Sequence, residues 1–287
     1  MAGKFARSLE LAKASWSVVQ ADKELLLLPV LSVIATVLVI ASFVAPALAL
    51  GWLPVAGMDE GGAGEPGMAV YAGVLAFYIV TYFITIFFNT ALVGAAMIRL
   101  DGGNPTLGDG LGIAWARVGK IFGYACIAGT VGLFLRMLEE RVGWVGRIVI
   151  GLIGIAWTLA TFLVVPLLVA RDLGPIDAVK ESAQMLRRTW GENIIGNAGL
   201  GLVFLLAYVV LLAIGGGIAY AGISLNLPVL VALAVLAGVV GLIVLATLQV
   251  TLQGVYSAAL YRFAAGDAAG AVAGFSPDLL QQAFRVK

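Results

Sequence analysis

Long apolar runs and short polar segments alternate along this chain. A helix needs about 20 residues to cross a hydrocarbon layer about 30 Å thick, and six runs are long and apolar enough to do so. They are Leu25–Leu50, Met68–Ile98, Ile121–Leu138, Ile148–Ala170, Ile194–Tyr220 and Leu227–Tyr261. The runs lack the two-residue alternation of a membrane-spanning strand. The pattern predicts an all-α, polytopic membrane protein with six transmembrane helices.

The third run is the shortest and carries Arg136 in its last turn. A long side chain at that depth reaches the headgroups by snorkelling. Glu140 follows four residues later, where the two side chains meet on a helix. We therefore count this run as a span and expect Arg136 to pair with Glu140 at its end.

A short amphipathic segment, here called an elbow, precedes each pair of runs. Its apolar residues recur at helical spacing, which is typical of a helix lying in the plane of the headgroups. The stripes are Phe5, Leu9, Ala12, Trp16 and Val19 in the first elbow, Leu107, Leu111, Ala114 and Val118 in the second, and Ile176, Val179, Ala183, Leu186 and Trp190 in the third. Three glycines weaken the helix propensity of the second elbow.

The elbows divide the chain into three parallel repeats, each an interfacial amphipathic helix followed by a helical hairpin. The predicted repeats are 5–98, 105–170 and 175–261. Since each repeat enters from the same side, they would be related by a pseudo-threefold axis along the membrane normal. We interpret 1–263 as one six-helix transmembrane domain and 264–287 as a short cytoplasmic tail.

The basic residues are distributed unequally between the two sides of the predicted membrane. Of the 17 Lys and Arg residues, 14 flank the runs on one side and only Arg136, Arg141 and Arg147 lie on the other. Cytoplasmic segments are enriched in Lys and Arg. Both termini and all three elbows are therefore predicted to be cytoplasmic.

Basic residues on the elbows are candidate contacts for anionic lipid. They are Lys13, Arg117, Lys120, Lys180, Arg187 and Arg188. The alternative is that the elbows only pack against the bundle, with these charges solvated.

Composition agrees with a membrane class. The chain is 62% hydrophobic and 11% charged, against about 25% charged residues in a soluble domain. No histidine occurs, and no charged residue lies in the middle of a run, which argues against proton relays and ion-coupled transport. No basic tract is typical of a nucleic-acid surface, and we expect no cofactor, metal site or nucleic-acid partner.

Amide groups are the most polar side chains left within or near the spans. They belong to Asn89, Asn193, Asn197, Gln249 and Gln253, and Tyr256 extends the face that the two glutamines share. One interpretation is a polar mouth, open to the inner leaflet, that contacts lipid or solute. The other, which we favour, is interhelical hydrogen bonding, worth about 0.6 kcal/mol per pair on average.

Three stretches carry a resemblance to a known family. They are FFNTALVGAAMIRLDGGNPTLGDG at 87–110, EERVGWVGR at 139–147 and VVPLLVARDLGPIDAVKESAQMLRRTWGENIIGN at 164–197. Together they resemble a prokaryotic family of six-span membrane proteins of unknown function. Within the third stretch, PLLVARDLGPIDAVKESAQMLRRTW at 166–190 is also distantly similar to the corresponding inner elbow in the membrane domain attached to some bacterial glycerophosphodiester phosphodiesterases. The resemblance implies a prokaryotic cytoplasmic (inner) membrane, but nothing here matches that enzyme's catalytic barrel.

Three functions are compatible with these observations. The first is a non-enzymatic membrane protein that binds lipid, a membrane-protein partner or a second copy of itself. The second is a passive channel or transporter for a small or amphiphilic solute, with the amides lining an inner vestibule. The third is a lipid-modifying enzyme that acts at the outer surface through Glu139 or Glu140. We favour the first, because the residue constellations that perform chemistry are missing from the sequence.

Overall fold

The computed structural model of the chain describes residues 13–49, 68–190 and 199–265, which form ten α-helices and one 3-10 turn without any strand. Residues 13–21 form α1, and the 3-10 turn covers Lys23–Leu26. The other helices are α2 (Leu27–Ala49), α3 (Met68–Leu100), α4 (Leu107–Ala116), α5 (Val118–Arg141), α6 (Trp144–Ala160), α7 (Val164–Ala170), α8 (Pro175–Trp190), α9 (Gly199–Ser224) and α10 (Pro228–Ala264).

Six segments within the described ranges are helical, long enough and apolar enough to cross a membrane. They are Lys23–Leu48, Tyr71–Leu100, Val118–Arg141, Trp144–Ala170, Val203–Ser224 and Pro228–Arg262. Large aliphatic side chains on these helices are exposed. Such an apolar surface is stable in contact with lipid acyl chains and unfavourable in contact with water. The predicted all-α class and the six spans are confirmed. The three repeats and the cytoplasmic termini stay predictions, and Phe5, Leu9, Ala12 and the tail from residue 266 lie outside the described residues.

The described chain forms two compact units. Within the described ranges, the first comprises residues 13–29, 95–107, 187–190 and 199–265; the second comprises residues 30–49, 68–94 and 108–186.

The hairpin of α9 and α10 is the main structure of the first unit. The turn between them places Asn226 in the left-handed region at φ 54°, where asparagine is better tolerated than most residues. The Leu227 N–H donates to the Gly222 carbonyl at 2.8 Å, and the Asn226 N–H donates to the Ile223 carbonyl at 3.1 Å. These bonds form a Schellman cap that ends α9. The turn thus brings the two apolar helices into antiparallel contact.

The first unit is most buried along the last third of α10, which contacts the 3-10 turn. Leu25 and Leu28 are buried there, as are Val255 and Leu260 of α10. Arg262 donates to the Asp101 carboxylate, in the turn after α3. Glu24 accepts a hydrogen bond at 2.8 Å from the Leu107 backbone N–H, the first of α4, and so satisfies a donor that a helix leaves unpaired.

Close contacts between helices define the second unit. A Cβ atom on Gly129 of α5 would lie 3.3 Å from the Ile79 Cα of α3, and one on Gly94 of α3 would lie 2.9 Å from the Ile113 side chain of α4. Small residues at such points let helix backbones approach, which is a common basis of packing in membranes.

The fourth span is interrupted, although its sequence was predicted to form one continuous run. Residues 161–163 form a turn between α6 and α7. Pro166 explains the break, because proline has no N–H and its ring displaces the carbonyl four residues before it. The buried Ser182 hydroxyl of α8 accepts a hydrogen bond at 3.1 Å from the Leu163 backbone N–H. The third elbow therefore supplies an acceptor that the broken helix needs.

The buried faces of the first and third elbows overlap only in part with their predicted apolar stripes. In α8 the buried residues are Ala178, Ser182, Met185 and the predicted Leu186, whereas Ile176 is 59% exposed. In α1 Ser15, Val18 and the predicted Val19 are buried, and Trp16 is 38% exposed. Small side chains on the inward face allow close packing, so part of the apolar stripe is left on the outside.

Candidate functional site

The most distinctive surface of the second unit lies where α4 meets α5. Trp115 is 69% exposed there, and its ring is set edge-on to Phe87, with centroids 6.1 Å apart at 88°. Arg117 forms the junction between the helices, and Lys120 follows in the first turn of α5. We call Trp115, Arg117, Lys120 and Asp172 the elbow site. The site combines an exposed indole ring with two basic side chains and one acidic side chain.

Asp172 lies in the segment between α7 and α8 and brings a carboxylate to this site. Lys120 Nζ donates to Asp172 Oδ1. The Asp172 side chain is fully exposed, while that of Lys120 is 28% exposed. The hydrogen bond from Lys120 lowers the pKa of the Asp172 carboxyl, and Coulombic attraction to Lys120 and to Arg117 lowers it further. Asp172 is therefore ionised at neutral pH.

Several contacts hold the Asp172 segment against α5. A Cβ atom on Gly123, one turn beyond Lys120, would lie 3.0 Å from Pro175 Cγ, so glycine permits this approach. On the other side of Asp172, Arg171 pairs with Glu181 of α8 at 3.2 Å. The approach of Pro175 to α5 thus holds the segment that carries Asp172 close to the helix that carries Lys120.

The other residues predicted to contact anionic lipid are all exposed, but they lie at separate places on α1 and α8. Lys13 is exposed on α1, and Arg187 and Arg188 are exposed near the end of α8. Lys180 is exposed and lies 3.8 Å from the Asp177 carboxylate. Of the six predicted basic residues, the structure brings Arg117 and Lys120 together.

The predicted amide set is dispersed between the two units. Asn89 is half-buried on α3 in the second unit, while Gln249, Gln253 and Tyr256 lie on α10 in the first, where the glutamines are half-buried and Tyr256 is buried. The Tyr208 hydroxyl of α9 donates to Gln249 Oε1 at 2.9 Å. For Gln249 the structure thus shows an interhelical bond. Asn193 and Asn197 lie outside the described residues.

At the opposite end of α5, Arg136 pairs with Glu140 at 3.3 Å, as predicted. Arg136 also donates to the Tyr78 hydroxyl of α3 at 2.9 Å. Both members of the ion pair are exposed, as is Glu139. These carboxylates are solvent-accessible and do not share an enclosed pocket.

Sequence reasoning missed Asp172 and Ser182. Asp172 is 52 residues from Lys120, so no local spacing signals that they meet. Ser182 is not part of the predicted apolar stripe of the third elbow, but it is fully buried. The proline in the fourth run was the available signal, because it frees backbone groups that require a partner.

A comparison with protein families identifies one match. The model of a family of unknown function (DUF6159) matches residues 68–271, well over half of the chain. The chain belongs to this family. The matched range of this DUF6159 protein contains the whole elbow site and excludes α1 and α2. No curated protein and no solved structure matches the chain.

Proposed function

We propose that this protein is a non-enzymatic membrane module that binds phospholipid headgroups at the elbow site. The observation that carries the proposal is the exposed Trp115 ring, held by Phe87 immediately before the third span. Tryptophan favours the membrane interface, where its ring is partly in hydrocarbon and its N–H remains hydrated. Arg117 and Lys120 follow within five residues of Trp115 and bring charges suited to phosphate.

The elbows would lie in the headgroup layer of the cytoplasmic leaflet of a prokaryotic inner membrane. Ile176 supports this position, since a large aliphatic side chain exposed on an amphipathic helix is stabilised by lipid contact. The bundle would then act as a scaffold or lipid-handling module, and its partners would be membrane lipids together with a membrane protein or a second copy.

Native mass spectrometry from lipid nanodiscs tests this function. Nanodiscs would contain phosphatidylcholine, phosphatidylethanolamine and phosphatidylglycerol, and the lipids retained after release would be counted. We expect the double variant Arg117→Gln/Lys120→Gln to retain lipid about 30-fold more weakly, because each basic residue near a membrane surface contributes about 1 kcal/mol.

The matched control is Arg141→Gln/Arg147→Gln, which removes the same charge from exposed positions at the far end of the α5–α6 hairpin. Equal loss of lipid in both double variants would contradict a site at the elbow. Unaltered lipid retention in the elbow variant, with solute flux through proteoliposomes that depends on Asn89 and Gln253, would favour passive transport instead.

A further inference from the structure

The ion pair of Lys120 and Asp172 contributes little to folding. It lies at the surface, with the Asp172 side chain fully exposed, and exposed pairs of this kind contribute little to stability, because water and salt screen their charges. Both charges are therefore accessible to a ligand that satisfies them better than they satisfy each other.

The arrangement of charge is also unsuited to a simple anion. A phosphate group on Lys120 and Arg117 would lie beside the Asp172 carboxylate, whose charge repels it. The repulsion persists at neutral pH, because an exposed aspartate is ionised there and its neighbours Lys120 and Arg117 lower the pKa of Asp172 further. A ligand that carries a cation next to its phosphate would remove this cost.

The positions of the charges are set before any ligand binds. The Gly123–Pro175 approach holds the α7–α8 segment near the start of α5, and the Arg171 N–H donates to the Leu167 carbonyl at 2.8 Å, which fixes the backbone preceding Asp172. Lys120 lies in the first turn of α5, which starts at Val118, so its backbone is fixed. Preorganisation of this kind reduces the entropy that binding must offset.

We propose that the elbow site selects a zwitterionic headgroup with a primary amine, as in phosphatidylethanolamine. Its phosphate accepts hydrogen bonds from Lys120 and Arg117, and its ammonium donates to the Asp172 carboxylate. This inference rests on the proposed function and specifies the lipid class of that site. The exposed side chains of Trp115, at the end of α4, and Ile176, at the start of α8, offer apolar surface for the glycerol and upper acyl region.

The ammonium contact distinguishes lipids by the number of N–H groups that they carry. A primary ammonium donates charge-assisted hydrogen bonds to a carboxylate, and successive N-methylation removes these donors without changing the charge. Nanodiscs of phosphatidylglycerol and phosphatidylcholine would therefore be doped with dioleoyl phosphatidylethanolamine, its N-monomethyl or N,N-dimethyl derivative, or further phosphatidylcholine. Native mass spectrometry of the full-length protein measures the retention of each.

We expect retention to decrease along the methylation series, with phosphatidylethanolamine retained about ten-fold more strongly than phosphatidylcholine, the effect of one lost hydrogen bond to a charged group. Asp172→Asn should reduce this preference to below about two-fold, while Asp172→Glu restores it. The control Asp177→Asn makes the same change in another exposed ion pair and should keep the preference. Because Asp172 is fully exposed, its variants should fold, and their thermal unfolding checks this.

Two other outcomes separate the inference from the proposed function. Preferential retention of phosphatidylglycerol, increased by Asp172→Asn and lost in Arg117→Gln/Lys120→Gln, would overturn the zwitterionic assignment and leave the headgroup site in place. Retention that is indifferent to all of these variants would overturn both.

Discussion

Ser182 is a buried residue whose hydroxyl accepts a hydrogen bond from a backbone N–H group of the fourth span. Pro166 interrupts the fourth span, and the freed Leu163 N–H finds its acceptor on α8. A buried donor without an acceptor costs far more than an ordinary hydrogen bond contributes, because it has lost its water as well. The third elbow and the fourth span should therefore be coupled energetically through this one bond.

Ser182→Ala should lower the free energy of unfolding by about 1–3 kcal/mol, since it leaves the Leu163 N–H unsatisfied. Equilibrium unfolding in mixed micelles of mild and denaturing detergent measures the change. The matched control is Ser257→Ala, because the buried Ser257 hydroxyl only back-bonds to the Gly254 carbonyl of its own helix. Equal effects of the two variants would show that the bond to Leu163 does not stabilise the break.

Helix packing in the second unit depends on glycines at specific points of contact. Along α5, a methyl group added at Gly129 would lie 3.3 Å from the Ile79 Cα, closer than ordinary van der Waals contact, whereas one added at Gly119 would have nothing within 4 Å. The two positions share one helix and one residue type. Only the neighbouring helix makes them different.

Gly129→Ala should destabilise the protein by about 1–3 kcal/mol, because the methyl group forces α3 and α5 apart. The control Gly119→Ala should be neutral or stabilising by up to about 1 kcal/mol, through the higher helix propensity of alanine. Thermal unfolding followed by circular dichroism measures both. A more stable Gly129→Ala variant would mean that α3 shifts freely to admit the methyl group.

Orientation in the bilayer is a property of the entire chain, governed by how its charges are distributed. The 14 basic residues on one side and three on the other predict that both termini are cytoplasmic. The elbow site would then contact the inner leaflet, where acidic lipids give the surface its negative potential. The proposed function depends on this orientation.

Reporter fusions test the predicted orientation of the protein in the membrane. A fluorescent protein fused at either terminus should be fluorescent, and alkaline phosphatase inserted between Arg141 and Trp144, in the turn between α5 and α6, should be active, since this enzyme folds only where disulfides form. An active phosphatase at either terminus would reverse the orientation and move the elbow site to the outer leaflet.

Much of the architecture follows from local pattern. Length and apolarity were sufficient to predict all six spans, because a lipid environment requires helices that satisfy their own backbone groups. The Arg136–Glu140 pair was also predictable, since its members are four residues apart on one helix. These features depend on neighbours in sequence, and the chain alone therefore determines them.

Contacts between residues far apart in the sequence determined the features that local pattern could not predict. The predicted stripe of the third elbow included Ile176, yet the inward face is the one with Ala178 and Ser182, because packing between helices depends on the shape of the partner as well as on apolarity. The meeting of Lys120 with Asp172 depends likewise on how the α7–α8 segment lies on α5. Residue spacing carries no information about such distant encounters, so the charge pattern of the elbow site was decided only by the tertiary structure.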